Sequence, residues 1–172
     1  MARSLTAHHI LTRRTLGLGL LLVPTMASAQ DAPCAPISVL FVCQAGTVKS
    51  SIASETLKRR ATEAGVQVRV SSRGIHPEDH VSAALAANLK ADGLYLGRQP
   101  ALRLSKADVA TADIVIAFDK AVQAPELRGA RSWDIPSWNA DYEGAKAALS
   151  AQLDRLIAEL RVCPSAAVNK ER

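Results

Sequence analysis

Ile37-Ser38-Val39-Leu40-Phe41-Val42-Cys43-Gln44-Ala45-Gly46-Thr47-Val48-Lys49-Ser50-Ser51 puts a short apolar run, a cysteine and a glycine-bearing turn directly ahead of a helical pattern. The run Ile37–Val42 reads as a strand buried on both faces, as parallel strands are. From Ser51 to Ala64 the apolar residues Ile52, Ala53, Leu57, Ala61 and Ala64 keep the spacing of one helix face, and Gly65 stands where a C-cap glycine would. A tight loop entering a helix N-terminus gathers backbone N–H groups, and the helix dipole adds positive potential there. Gln44, Ala45, Gly46, Thr47, Val48 and Lys49 therefore form an anion nest, with Gly46 supplying the dihedrals a tight loop needs. The same field favours the thiolate of Cys43, a nucleophile. Ser50 is placed to donate to that sulfur and stabilise it as a leaving group, and Lys49 to fold back onto a bound anion.

Further along, the segments alternate. Val66–Val70 predicts a second strand, His80–Ala91 a helix, and Ser105 the cap of a short helix. Ala112–Phe118 gives the strongest strand signal. A brief helix near Gln123–Arg128 ends at Gly129, a fourth strand covers Ser132–Ile135, and Asp141–Val162 is the longest helix. This order predicts one α/β domain over residues 30–172: a three-layer sandwich with a four-stranded parallel sheet and helices on both faces. Ligands of such sheets sit at the carboxyl ends of strands, where Cys43 falls.

Residues 1–29 read as a signal peptide. Arg3, Arg13 and Arg14 precede the apolar run Leu16–Val23, and Ala27-Ser28-Ala29 offers a cleavage site after Ala29. The run is shorter than the roughly 20 residues of a membrane span. Thr12-Arg13-Arg14-Thr15-Leu16 fits a twin-arginine signal as well as an ordinary one. The expected location is periplasmic or secreted. Three of the 21 basic residues and none of the 16 acidic ones lie in this segment, so the remainder carries +2 rather than the full chain's +5. That charge, with 3% aromatic residues, calls for neither nucleic acid nor a membrane surface after signal removal. Export exposes Cys34, Cys43 and Cys163 to an oxidising compartment. Cys34 precedes the first strand and Cys163 ends the last helix, both opposite Cys43, so they are the candidate disulfide; two unpaired thiols are the alternative.

Val42-Cys43-Gln44-Ala45-Gly46-Thr47-Val48-Lys49-Ser50 resembles the active loop of the low-molecular-weight protein tyrosine phosphatases and related arsenate reductases, which reads Val-Cys-x-Gly-Asn-x-x-Arg-Ser. The resemblance continues through the next helix, the strand ending near Ser71-Ser72-Arg73-Gly74, and Ala112–Asp119. It implies hydrolysis of a phosphomonoester, phosphotyrosine among them, through a phosphocysteine, with no cofactor and no metal. Three departures stand out. Lys49 replaces an arginine that grips two oxygens, and losing one charge-assisted hydrogen bond costs about 1.5–3 kcal/mol, about ten- to a hundredfold in rate. Ala45-Gly46 replaces Gly-Asn, leaving Thr47 or Ser51 to brace the loop. The family's Asp-Pro general acid has no direct counterpart: Asp134 and Asp141 are the candidates, and Ser137 falls near the matching register. Phe118-Asp119-Lys120-Ala121-Val122 lacks the resolving cysteines of the arsenate reductases. Binding of an oxyanion without turnover, and redox sensing through Cys43, are the rival functions.

His76 and His80 read as solvated, Trp133 and Trp138 as core or as walls for an aryl substrate, and Lys58, Arg59 and Arg60 as the wet face of the first helix.

Overall fold

Along the first strand, β1 (Ile37–Cys43), side chains alternate between two buried faces, and each face has its own core. The computed structural model describes residues 35–96 and 100–161. After β1 come α1 (Lys49–Glu63), β2 (Val68–Gly74), α2 (Ala83–Ala91), α3 (Lys106–Thr111), β3 (Ile114–Phe118), two 3-10 turns (Asp119–Gln123 and Pro125–Leu127), β4 (Arg131–Trp133) and α4 (Tyr142–Arg161). All pairings are parallel, in the order β2-β1-β3-β4. Val39, Phe41 and Cys43 pack with residues of α1, α2 and α4 on one face. Leu40 and Val42 pack on the other with Ala117, Ala121 and Leu127, covered by Val109 of α3. The three-layer α/β sandwich expected from the sequence is present. No described helix is long and apolar enough to cross a membrane.

Several boundaries differ from the sequence reading. β2 starts at Val68, not Val66, because Val66 still belongs to the end of α1. Its amide bonds Ala61 O at 2.8 Å and the amide of Gly65 (φ +69°) bonds Thr62 O at 3.2 Å, a Schellman ending. β2 then runs to Gly74 through polar residues, since each pairs with β1 in register up to Cys43↔Gly74. α2 starts at Ala83, where the Ser82 side chain caps Leu85 N, rather than at His80. α1 begins two residues early, at Lys49. Ala112 is the C-cap of α3 rather than strand, whereas Ser105 does cap that helix, in a reciprocal capping box with Asp108. The brief helix expected near Gln123–Arg128 is instead a pair of 3-10 turns, broken where Pro125 opens the second. β4 covers Arg131–Trp133 instead of Ser132–Ile135.

The signal segment, Cys34 and Cys163 lie outside the described residues. Trp133 is core: its ring meets Phe41 at 5.7 Å and Phe118 at 6.0 Å under the carboxyl edge of the sheet. Arg60 is not merely wet. It reaches α4, bonding Ser150 Oγ at 2.6 Å and Asp154 Oδ1 at 2.8 Å, while Lys58 and Arg59 are exposed.

Candidate active site: the Cys43 loop

The loop between β1 and α1 is held from outside through its carbonyls. Those of Cys43, Gln44 and Ala45 accept from the amides of Ile75, His76 and Glu78 at 3.1, 2.8 and 3.0 Å. Ser51 Oγ donates to Gly46 O at 2.7 Å, so Ser51 supplies the brace. Thr47 Oγ1 is buried with no partner among the described residues. Gly46 has φ +74°, and a β carbon there would come within 2.8 Å of Gly74 N. Only a glycine fits this close backbone approach.

With its carbonyls occupied, the loop turns its donors to other use. The amides of Thr47, Val48, Lys49, Ser50 and Ser51 bond no other described residue. Cys43 is buried at 6% exposure and its thiol is free. The sulfur accepts from Gly46 N at 3.1 Å and shares a hydrogen bond with Ser50 Oγ, also at 3.1 Å. Ser50 Oγ in turn reaches Arg73 O at 3.4 Å. The other helices have side-chain caps: Ser82 on α2, Ser105 on α3, and Asp141 Oδ1 on the Gly144 amide of α4 at 2.9 Å. α1 has none, and no acidic residue in its first turn. Its unsatisfied N-terminus and dipole converge on the loop that carries the sulfur, which suits an anion.

Lys49 is engaged elsewhere. Its amine contacts Asp119 Oδ2 at 2.5 Å and donates to the carbonyl of Ile135. Asp119 escaped the sequence reading as a site residue. The available signal was topological: it directly follows β3, at the same sheet edge as Cys43. Of the carboxylates proposed from sequence, Asp141 is the cap of α4. Asp134 is exposed, directly after β4, two strands from β1 and thus about 10 Å from the Cys43 column by strand spacing. The structure brings Cys43, Ser50 and Gly46 together, turns the Lys49 amine to Asp119, and leaves Asp141 in its cap. Ser137 begins the turn before α4, its carbonyl accepting from the amides of Ala140 and Asp141. Gln44 is exposed, as are His76 and His80, the latter 3.4 Å from Asp79.

Residues 38–134, more than half of the chain, match the family described as low molecular weight phosphotyrosine protein phosphatase. The chain belongs to that family. A search of curated protein sequences finds no match. Among solved structures, YfkJ from Bacillus subtilis is 20% identical with a TM-score of 0.63, over 76% of this chain and 98% of that one. A cysteine-to-serine mutant of the YwlE arginine phosphatase, with its active-site serine phosphorylated, is 18% identical with a TM-score of 0.60, over 73% and 97%. An arsenate reductase in its phosphate-binding state is 18% identical with a TM-score of 0.59, over 72% and 98%. At these identities the likeness is one of fold. Within the phosphatase family, this chain keeps cysteine and serine at the two ends of the loop and carries lysine before the serine.

Proposed function

We propose that the protein hydrolyses a phosphomonoester through a phosphocysteine at Cys43. The observation that carries this reading is the sulfur at the base of a loop of unpaired amides, with Gly46 N and Ser50 Oγ each at 3.1 Å. Cys43 Sγ attacks phosphorus, forming the S–P bond as the P–O bond to the leaving group breaks. Loop amides stabilise the equatorial oxygens. A carboxylic acid, Asp134 being the uncommitted one, gives its proton to the departing oxygen. Water then cleaves the S–P bond, releasing phosphate, and the Ser50 hydroxyl stabilises the returning thiolate. The arginine phosphatase mutant, whose active-site serine stands in place of a cysteine and carries a phosphate, supports a covalent intermediate on the corresponding sulfur. The test is hydrolysis of 4-nitrophenyl phosphate by the protein and by Cys43→Ser. Loss of turnover in the variant is expected; equal rates would remove Cys43 from the reaction.

One observation favours a second reading, oxyanion binding without turnover. Lys49 is already paired with Asp119, so an incoming anion competes for the loop's only cationic side chain. Tight phosphate binding with no hydrolysis of aryl phosphates would favour it. For residues 1–29 we propose a cleaved export signal and a periplasmic or secreted location, which mass measurement of the mature N-terminus tests.

A further inference from the structure

The turn that carries Asp134 is tied to the Cys43 loop at a single residue. Ile135 follows Asp134 directly, and both polar groups of its backbone meet the ion pair at the loop's end. Its carbonyl accepts from Lys49 Nζ, and its amide approaches Asp119 Oδ1 at 3.5 Å. Lys49 Nζ and Asp119 Oδ2 are themselves 2.5 Å apart. The three residues close a ring that joins the start of α1 to the ends of β3 and β4.

Little else fixes this stretch through its backbone. The next backbone hydrogen bonds along the chain are those that the Ser137 carbonyl accepts. Ile135 and Trp138 bury their side chains, while Asp134, Pro136 and Ser137 between and beside them are exposed. Pro136 holds the residue before it to extended backbone. With the Ile135 side chain packed and its amide and carbonyl both held, the direction of Asp134 is set by the ring.

An ammonium group has three donors, and Lys49 spends two of them outside the loop, on Asp119 and Ile135. The unpaired amides of Thr47, Val48, Lys49, Ser50 and Ser51 offer a bound anion its donors without the lysine amine. We propose that Lys49 is a positioning residue: its amine holds the turn so that Asp134 reaches the departing oxygen, and the loop amides hold the anion. The proposal rests on the hydrolytic reading above, in which Asp134 gives the proton. The two possible roles of the amine make different demands. A cation gripping the phosphoryl oxygens stabilises the transition state for every leaving group and strengthens binding of free phosphate. A residue that places the acid matters where the leaving oxygen is basic, and hardly touches phosphate affinity.

Lys49→Met removes the amine and keeps an unbranched stem. It is expected to lower kcat/KM for phenyl phosphate about tenfold or more, and for 4-nitrophenyl phosphate by no more than about threefold. The inhibition constant of inorganic phosphate is expected to stay within about twofold. Added to Asp134→Asn, Lys49→Met is expected to cost phenyl phosphate hydrolysis little more, since both changes disable one step. Hydrogen exchange over residues 134–140, read by mass spectrometry, is expected to be faster in Lys49→Met. In the unaltered protein, saturating phosphate is expected not to speed it, because the amine stays on the turn. A loss no greater on phenyl phosphate than on 4-nitrophenyl phosphate, clearly weakened phosphate binding, or additive losses in the double variant would each overturn the proposal. So would unaltered exchange in Lys49→Met, or faster exchange when phosphate is added to the unaltered protein. If the unaltered protein hydrolyses neither substrate, the hydrolytic reading falls instead, and the exchange data alone decide whether Lys49 holds the turn.

Discussion

Lys49 Nζ and Asp119 Oδ2 lie 2.5 Å apart, joining the start of α1 to the residue that follows β3. Asp119 has φ 52°, the one positive φ of a non-glycine residue among those described. Aspartate and asparagine tolerate this conformation better than other side chains. The strained backbone and the amide of Ile135, 3.5 Å from Oδ1, aim the carboxylate at the loop's cation. Lysine makes such capture easy: it carries a compact charge on a flexible stem, where arginine would keep spare donors for a second partner.

Asp119→Asn removes the charge while keeping size and backbone tolerance. With Lys49 released, inorganic phosphate is expected to bind about three- to tenfold tighter, a modest gain because the pair is partly solvated. Calorimetric titration measures it. Unchanged or weaker binding would show that Asp119 does not restrain Lys49.

Gly46 and Gly74 stand back to back. A β carbon on Gly46 meets Gly74 N and Ala101 Cβ at 2.8 Å, and one on Gly74 meets the Ala45 carbonyl at 2.9 Å. Gly46→Ala adds the cost of positive φ and is expected to destabilise by about 2–4 kcal/mol in urea denaturation. Gly65→Ala, with φ +69° but open space around it, is expected to cost only about 1 kcal/mol. Similar losses at both sites would mean that the crowding at Gly46 is relieved by local movement.

The brace on the loop was legible only as a choice. Sequence places hydroxyls at both Thr47 and Ser51, and nothing in spacing says which turns back to the Gly46 carbonyl. The structure chooses Ser51 and leaves Thr47 Oγ1 buried and unpaired. Ser51→Ala is therefore expected to cost about 1 kcal/mol. Thr47→Val, which removes an unsatisfied hydroxyl and keeps the shape, is expected to be neutral or slightly stabilising. Thermal and urea midpoints of the two variants decide it. The reverse order would move the brace to Thr47.

The strand–loop–helix around Cys43 was readable because its signals are local: an apolar strand, a glycine and helical spacing. The roles of Asp119 and of the His76 amide were not, since they depend on what the fold brings beside the loop. The alternation over Val66–Val70 stops short for the same reason: Ser71, Ser72 and Arg73 are strand through register with β1, and only the family resemblance carries the strand on to Gly74.

Stability should also fall in acid, through Asp108. Burial raises its pKa, but hydrogen bonds from Arg73 and Ser105 outweigh this and hold it below its ordinary 3.8. A carboxylate depressed on folding contributes stability that is fully present above 3.8 and is lost as pH falls through the lower, folded value. The Arg73 pair, 2.6 Å at its shortest, is largely shielded, and Arg73 O lies 3.4 Å from Ser50 Oγ. Asp108→Asn is expected to lower the urea midpoint at pH 7, with the two curves converging below pH 3.8. A constant offset down to the acid limit would assign the loss to shape rather than charge.

Asp134 and Asp141 separate by what else they do. Asp141 Oδ1 binds the Gly144 amide, and a β carbon on Gly144 would strike its carboxylate at 2.0 Å, so glycine there makes room for the cap. Asp141→Ala is therefore expected to cost about 1 kcal/mol of stability while leaving the rate per folded molecule intact. Asp134 has no side-chain hydrogen bond among the described residues and stands at the sheet edge that carries the sulfur. A general acid matters most where the leaving oxygen is basic. Asp134→Asn is expected to slow phenyl phosphate hydrolysis about a hundredfold and that of 4-nitrophenyl phosphate much less, with an unchanged melting point. An equal effect on both substrates would deny Asp134 the proton transfer. A leaving-group-dependent loss in Asp141→Ala would show the cap of α4 doubling as the acid.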